Sequence, residues 1–272
     1  MHIIRKTVFG CLLFAVVATI FAPSCGKKAY VEELDTLRGM WGSVLLYNEL
    51  GTAESDNSDV VITFRCIDTV SSNPLTVKDT TFKLVTDAKG NWDIRRPMGG
   101  WYFIEYEKSG YCKNAVYSHR YDTSRADTLG VVYLAKPTKG SVDIDSLSLK
   151  DGVLSIHRTL NFTASHSSYS LATWYFFGHS ESVSPEDYEY SYVSGSSTAS
   201  GNSQQQGVVY KPIDKLLEAG FQEGETVYVR AYCDNARAVS YQTGEKTWEY
   251  PNLLEGSNVL SFEIPESEDE EE

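Results

Sequence analysis

Positive charge is scarce in this chain. Against 37 Asp and Glu stand 24 Lys and Arg, a formal charge of −13 over 272 residues. No basic patch follows residue 25. That excludes a nucleic-acid face, because neutralising phosphates takes clustered Lys and Arg. Cysteine is sparse too: Cys11, Cys25, Cys66, Cys112 and Cys233 are widely spaced, with no CxxC and no Cys/His cluster to suggest zinc. Cys66 and Cys112 share one strand-rich stretch. They either pair in an oxidising envelope or, as their apolar surroundings favour, pack as small core residues. His119, His157, His166 and His179 lack metal-ligand spacing. Asp143, Asp145 and Asp151 suggest a calcium loop only until Leu147 and Leu149 interrupt it. There is no nucleophile elbow, and carboxylates are too common to single out an acid/base pair. The expectation is a non-enzyme with no metal and no cofactor. Nor is there a membrane-length apolar run. The longest, Val8 to Ala22, falls short of the ~20 residues that a spanning helix needs.

What that run does have is a context. Arg5 and Lys6 precede it, and Ile20-Phe21-Ala22-Pro23-Ser24-Cys25 ends it. A basic head, a short apolar body and small residues before a cut point describe a secretory signal. With Cys25 at the cut, the stretch resembles a bacterial lipoprotein signal, although Pro23 is unusual and Ala22 stands where Leu is commoner. The resemblance implies that residues 1–24 are removed, that Cys25 is lipidated, and that the protein hangs from the outer membrane or cell surface. Acyl chains contribute ~0.8 kcal/mol per buried CH₂, so three would hold firmly. The first 24 residues carry two bases and no acid, so processing takes the charge from −13 to −15.

Residues 25–36 read as a lipidated tether. Strand-like segments follow at 41–47, 60–67, 81–86, 92–94, 101–107 and 130–135, by period-two alternation and flanking turns. In the 101–107 segment Tyr102, Ile104 and Tyr106 share one face. Residues 48–59 read as a polar loop. The stretch TDAKGNWDIRRPMGGWYFIEYEKSGY, Thr86 to Tyr111, resembles the carboxypeptidase regulatory-like domain. That resemblance implies a transthyretin-like β-sandwich over 37–138 and no catalysis.

Pro137 to Gly140 is the expected boundary. Strands are expected at 160–164, 171–177, 226–233 and 260–264, a short helix at 212–219, and a flexible Ser/Gly/Gln loop at 194–207. GETVYVRAYCDN, Gly224 to Asn235, and WYFFGHSESVSP, Trp174 to Pro185, resemble the fibronectin type III-like modules of Bacteroides-group surface proteins. In that family Val227 is usually a corner Tyr. The resemblance implies an immunoglobulin/fibronectin III-like sandwich over 139–265. Residues 266–272 read as an acidic disordered tail. The fold class is therefore all-β, two β-sandwiches in tandem. This architecture resembles lipoproteins encoded beside SusC/SusD-type outer-membrane glycan importers.

Aromatic residues supply the functional clue. Trp174 to Phe177 are four in a row, so a strand sends some to each face. One pair fills the core; the other is exposed or meets the first unit. Tyr188, Tyr190 and Tyr192 fall on one face of an extended segment, where a Tyr row can stack on sugars. An inward strand face and a contact with the first unit are the alternatives. Trp174, Tyr188, Tyr190 and Tyr192 are thus the candidate glycan contacts. Five triplets place Thr or Ser after Asp: Asp35-Thr36-Leu37, Asp68-Thr69-Val70, Asp79-Thr80-Thr81, Asp127-Thr128-Leu129 and Asp145-Ser146-Leu147. They resemble the O-glycosylation signal of Bacteroides-group envelope proteins, which marks Thr36, Thr69, Thr80, Thr128 and Ser146. The expected function is an accessory binding module for glycan capture or for a glycan-import complex, with a polysaccharide and an importer as partners. A structural or adhesive surface protein is the alternative.

Overall fold

The computed structural model describes residues 39–69, 81–162, 169–199, 202–237, 240–245 and 247–266. The expected signal, Cys25, the tether, Thr36, Thr80 and most of the acidic tail lie outside them. The chain is all-β as expected, with one short helix among the described residues.

The first unit has seven strands: β1 (Gly39–Tyr47), β2 (Val61–Thr69), β3 (Thr81–Val85), β4 (Asn91–Arg95), β5 (Gly100–Glu107), β6 (Asn114–Tyr121) and β7 (Asp127–Ala135). They form two sheets, β4-β1-β7 and β3-β2-β5-β6. Strand β1 pairs parallel with β7 and antiparallel with β4. Alternation in β1, β2 and β5 sends Met40, Val44, Leu46, Ile62, Phe64, Tyr102, Ile104 and Tyr106 between the sheets. Phe64 stacks on Phe82 at 4.8 Å and meets the edge of Trp92 at 5.3 Å.

The polar loop expected at 48–59 extends through Val60, and it is pinned to the core. Asn57 Oδ1 accepts from Leu46 N at 2.7 Å, and Thr86 Oγ1 donates to Asn57 O at 2.7 Å. Gly90 closes the turn before β4 at φ +82°, where a Cβ would lie 1.9 Å from Val44 O. Only glycine fits that approach.

The second unit contains β8 (Ser141–Lys150), β9 (Val153–Phe162), β10 (Tyr169–Gly178), β11 (Tyr190–Ala199), β12 (Ser203–Pro212), α1 (Asp214–Ala219), β13 (Thr226–Asn235), β14 (Tyr241–Gln242), β15 (Trp248–Glu249) and β16 (Leu260–Glu263). Its sheets are β12-β9-β8 and β11-β10-β13-β16, with β14-β15 a separate hairpin. Leu154, Ile156, Leu160, Phe162, Tyr175, Phe177, Val227 and Val229 lie in the core. Val227 is fully buried where the resemblance places a corner Tyr. The loop expected at 194–207 is corrected: β11 runs on to Ala199 and β12 begins at Ser203. Backbone pairing to β10 and β9 holds these Ser-rich ends, and pairing needs no apolar side chain.

Residues 136–140 link β7 to β8, and the two units are fastened there. Asn235 Nδ2 donates to Asn48 O at 2.7 Å and to Lys136 O at 3.3 Å. Ser170 N donates to Leu50 O at 3.0 Å, and Leu50 packs on the second core.

Candidate binding surface

The aromatic residues of β10 divide as the alternation requires. Tyr175 and Phe177 enter the core, while Trp174 and Phe176 point to the opposite face. That second face is neither exposed nor set against the first unit. A strap over residues 250–259 covers it. Tyr250 places its ring 5.0 Å from both Trp174 and Phe176, and Leu253 and Val259 pack beside it. The strap is held by Ser257 N donating to Ala231 O at 2.8 Å and Arg230 Nε donating to Ser257 O at 3.0 Å. Gly256 allows the approach, since a Cβ there would sit 2.4 Å from Arg230 Nε. Trp174 is 8% exposed and its Nε1 donates to buried Asp234 at 2.9 Å.

The expected row of three tyrosines does not form. Tyr188 precedes β11 and turns to the strap, sharing a 2.7 Å hydroxyl contact with Tyr250. Tyr190 and Tyr192 face the other way. They pack on Phe177 and Tyr175, and the buried Lys211 ammonium lies over their rings at 4.6 and 4.1 Å. The alternative of an inward strand face is what β11 adopts. Tyr188 faces the strap, Tyr190 and Tyr192 face the core, and Trp174 is covered, so the four nominated contacts share no surface.

Exposed rings occur on both units, Trp41 and Trp101 on the first and Tyr210 and Trp248 on the second, and Trp101 belongs to an aromatic strip. Along β5, Trp101, Phe103 and Glu105 alternate with the buried Tyr102, Ile104 and Tyr106. They therefore line the outer face of the β3-β2-β5-β6 sheet. Strand β6 adds Tyr117, whose ring meets Phe103 edge-on at 6.3 Å. A bulge makes this possible: Ser118 takes φ +58°, and the pairing shifts between Tyr102 and Ile104. The extra residue lets Tyr117 and Arg120 both point outward while Val116 and Tyr121 pack inward. Trp101 is 36% exposed, the largest ring open on this face.

Cations frame the aromatic strip. Arg65 of β2 lies 5.4 Å from the Phe103 ring centre and pairs with Glu105 at 2.5 Å. Arg120 lies 6.0 Å from Trp101. At the Glu105 end, Lys113 pairs with Glu107, and the β14-β15 hairpin of the second unit packs against β6 with Tyr241 near both. Such a face offers flat apolar rings, guanidinium donors and carboxylate acceptors side by side. That is the set that holds a polyhydroxylated ring by stacking and hydrogen bonds.

The remaining candidates are soon placed. Cys66, Cys112 and Cys233 form no disulfide among the described residues, so the Cys66–Cys112 pairing does not form. Burial pushes the Cys112 thiol up to about 11 and Cys233 up to about 12, which leaves both poor nucleophiles. Thr128 and Ser146 are exposed on strands; Thr69 ends β2, and its side chain is outside the described residues. Among the described residues no group of three His, Cys, Asp or Glu could hold a metal ion, and no helix is long and apolar enough to cross a membrane.

No protein-family profile matches the chain. No curated protein matches it in sequence. Among solved structures it is similar to a Bacteroides uniformis protein described as a candidate carbohydrate binding protein: identity is 12%, coverage 83% of this chain and 98% of the other, and TM-score 0.32. A DUF3823 family protein of the same organism gives 12% identity, 84% and 100% coverage and TM-score 0.29. The full-length major pilin SpaD of Corynebacterium diphtheriae gives 10%, 83% and 65%, and 0.26. TM-scores this low carry no argument about what the chain does.

Proposed function

We propose that this chain is a non-catalytic surface protein, lipid-anchored through Cys25, that captures glycan on the outer face of its first sandwich. The observation that carries the reading is the outer-face strip Trp101–Phe103–Tyr117, in which Trp101 is exposed and the other two rings are half-buried, framed by Arg65 and Arg120. The sheet orders support treating the units as transthyretin-like and fibronectin III-like modules, and such modules present ligands on faces and loops. A lipid-held capture module would serve a glycan importer in the same membrane by raising the local substrate concentration.

Two experiments test the proposal. Glycan-array binding by the soluble protein, repeated with Trp101→Ala, reads the surface; retention of full binding by the variant would sink it. Fractionation of cells carrying Cys25→Ser reads the anchor. The variant is expected in the soluble fraction, and co-sedimentation with membranes would remove the lipid from the account.

A further inference from the structure

A cleft of 310 Å³ lies at the junction of the two units, lined by Tyr133 of β7, by Ala172, Val193, Ser194, Gly195 and Ser196 on the β10 and β11 side, and by Ala236 and Arg237 after β13. It sits at the small end of the ~300–1,000 Å³ that ligand sites occupy. Its one cation is held in place. The Arg237 guanidinium lies over Tyr47 at 5.1 Å and over Tyr133 at 5.3 Å, and these two rings meet edge-on at 5.9 Å. Arg237 N also donates to Asn235 Oδ1 at 3.3 Å. Asn235 is itself bound across the junction to Asn48 and Lys136.

Among the described residues the guanidinium has no anionic partner, and the nearest buried carboxylate, Asp234, already accepts from Trp174 Nε1 and Asn235 N. Stacking on tyrosine occupies the face of a guanidinium and leaves its in-plane N–H groups available. Arg237 is exposed at the cleft with its guanidinium held on rings, and is placed to take a carboxylate in the plane of its fork against the chain's overall negative charge. Ser196 lies exposed at the cleft, while the buried Ser194 hydroxyl donates to Gly195 O at 3.3 Å.

We infer that this cleft binds a carboxylate-bearing sugar unit, a uronic acid, held by Arg237. The sugar part rests on the glycan reading above; the carboxylate part stands on Arg237 alone. The test is calorimetric titration of the soluble two-domain protein with digalacturonate, with the neutral disaccharide galactobiose, and with succinate. The acidic disaccharide should bind at least about ten-fold tighter than the neutral one, and Arg237→Gln should erase that preference. Ser196→Trp, which fills the cleft and leaves the arginine in place, should erase it too. Thermal melts of both variants guard against a fold defect. Succinate binding that matches digalacturonate would keep the carboxylate site and make its source a small free acid. No preference for the acid, or a preference that survives in both variants, overturns the inference. Trp101→Ala should leave the preference intact, so failure of the outer-face reading and failure of this one are told apart.

Discussion

Tyr106 and Tyr175 are buried between sheets with hydroxyls that make no hydrogen bond among the described residues. Burial holds both phenols well above their ordinary value near 10; it pushes Tyr102 up to about 12, and that hydroxyl also donates to Met98 O at 2.7 Å. The sign follows from linkage. Folded values above the unfolded value leave stability intact below pH ~10, where both states are protonated. As pH rises further the unfolded chain ionises first, and stability is lost. Phenolate absorbance should therefore rise in two steps: a reversible one from open tyrosines, and a later one that coincides with loss of β signal. A single step, with all tyrosines titrating before unfolding, would contradict the burial of this set. The inward side of β5 was legible at this scale, because alternation alone sorts Tyr102, Ile104 and Tyr106 from Trp101 and Phe103. The fate of Trp174 was not. Its cover comes from Tyr250, 76 positions away in the chain, and no local pattern announces a strap.

Between residues and the whole, turns and bulges decide what each strand presents. The turn at Gly90 extends the β1–β4 pairing, since Val44 N donates to Gly90 O at 2.9 Å, and Gly90 N closes it by donating to Asp87 O at 2.8 Å. Gly90→Ala adds a Cβ where φ is positive and the Val44 carbonyl already stands. It should cost more than about 1 kcal/mol, read as a lower urea midpoint at unchanged slope. A neutral result would mean the turn is not held as described. This turn was plain in the sequence, because a Gly between Asp87 and Trp92 is a local signal. Strand β6 was not, because the Ser118 bulge breaks its period of two. The Ser-rich ends of β11 and β12 were hidden for another reason: their pairing partners, not their side chains, make them strands.

At the scale of the molecule, the two sandwiches act as one body only if the junction holds. Asn235 carries much of that join. Asn235→Ala would orphan the carbonyls of Asn48 and Lys136, a loss of about 1–3 kcal/mol if they stay unsatisfied. The expected outcome is faster proteolysis within residues 136–140 and a larger radius of gyration by small-angle scattering; an unchanged scattering curve would show that other contacts suffice. The all-β sandwich class was legible from strand spacing and period-two alternation. The mutual fastening of the two units was not, since it runs through backbone carbonyls that every residue shares. Glycan capture on the outer face of the first sandwich is tested by one measurement above others. It is the affinity of the soluble protein for its best array glycan, compared with Trp101→Ala/Phe103→Ala and with Tyr190→Ala/Tyr192→Ala. Loss of one stacked ring costs on the order of 1 kcal/mol beyond buried area, so the first pair should weaken binding at least about ten-fold. The second pair should leave it unchanged. Loss of binding in the Tyr190/Tyr192 variant, with the Trp101/Phe103 variant intact, would contradict the account and return the site to the second sandwich.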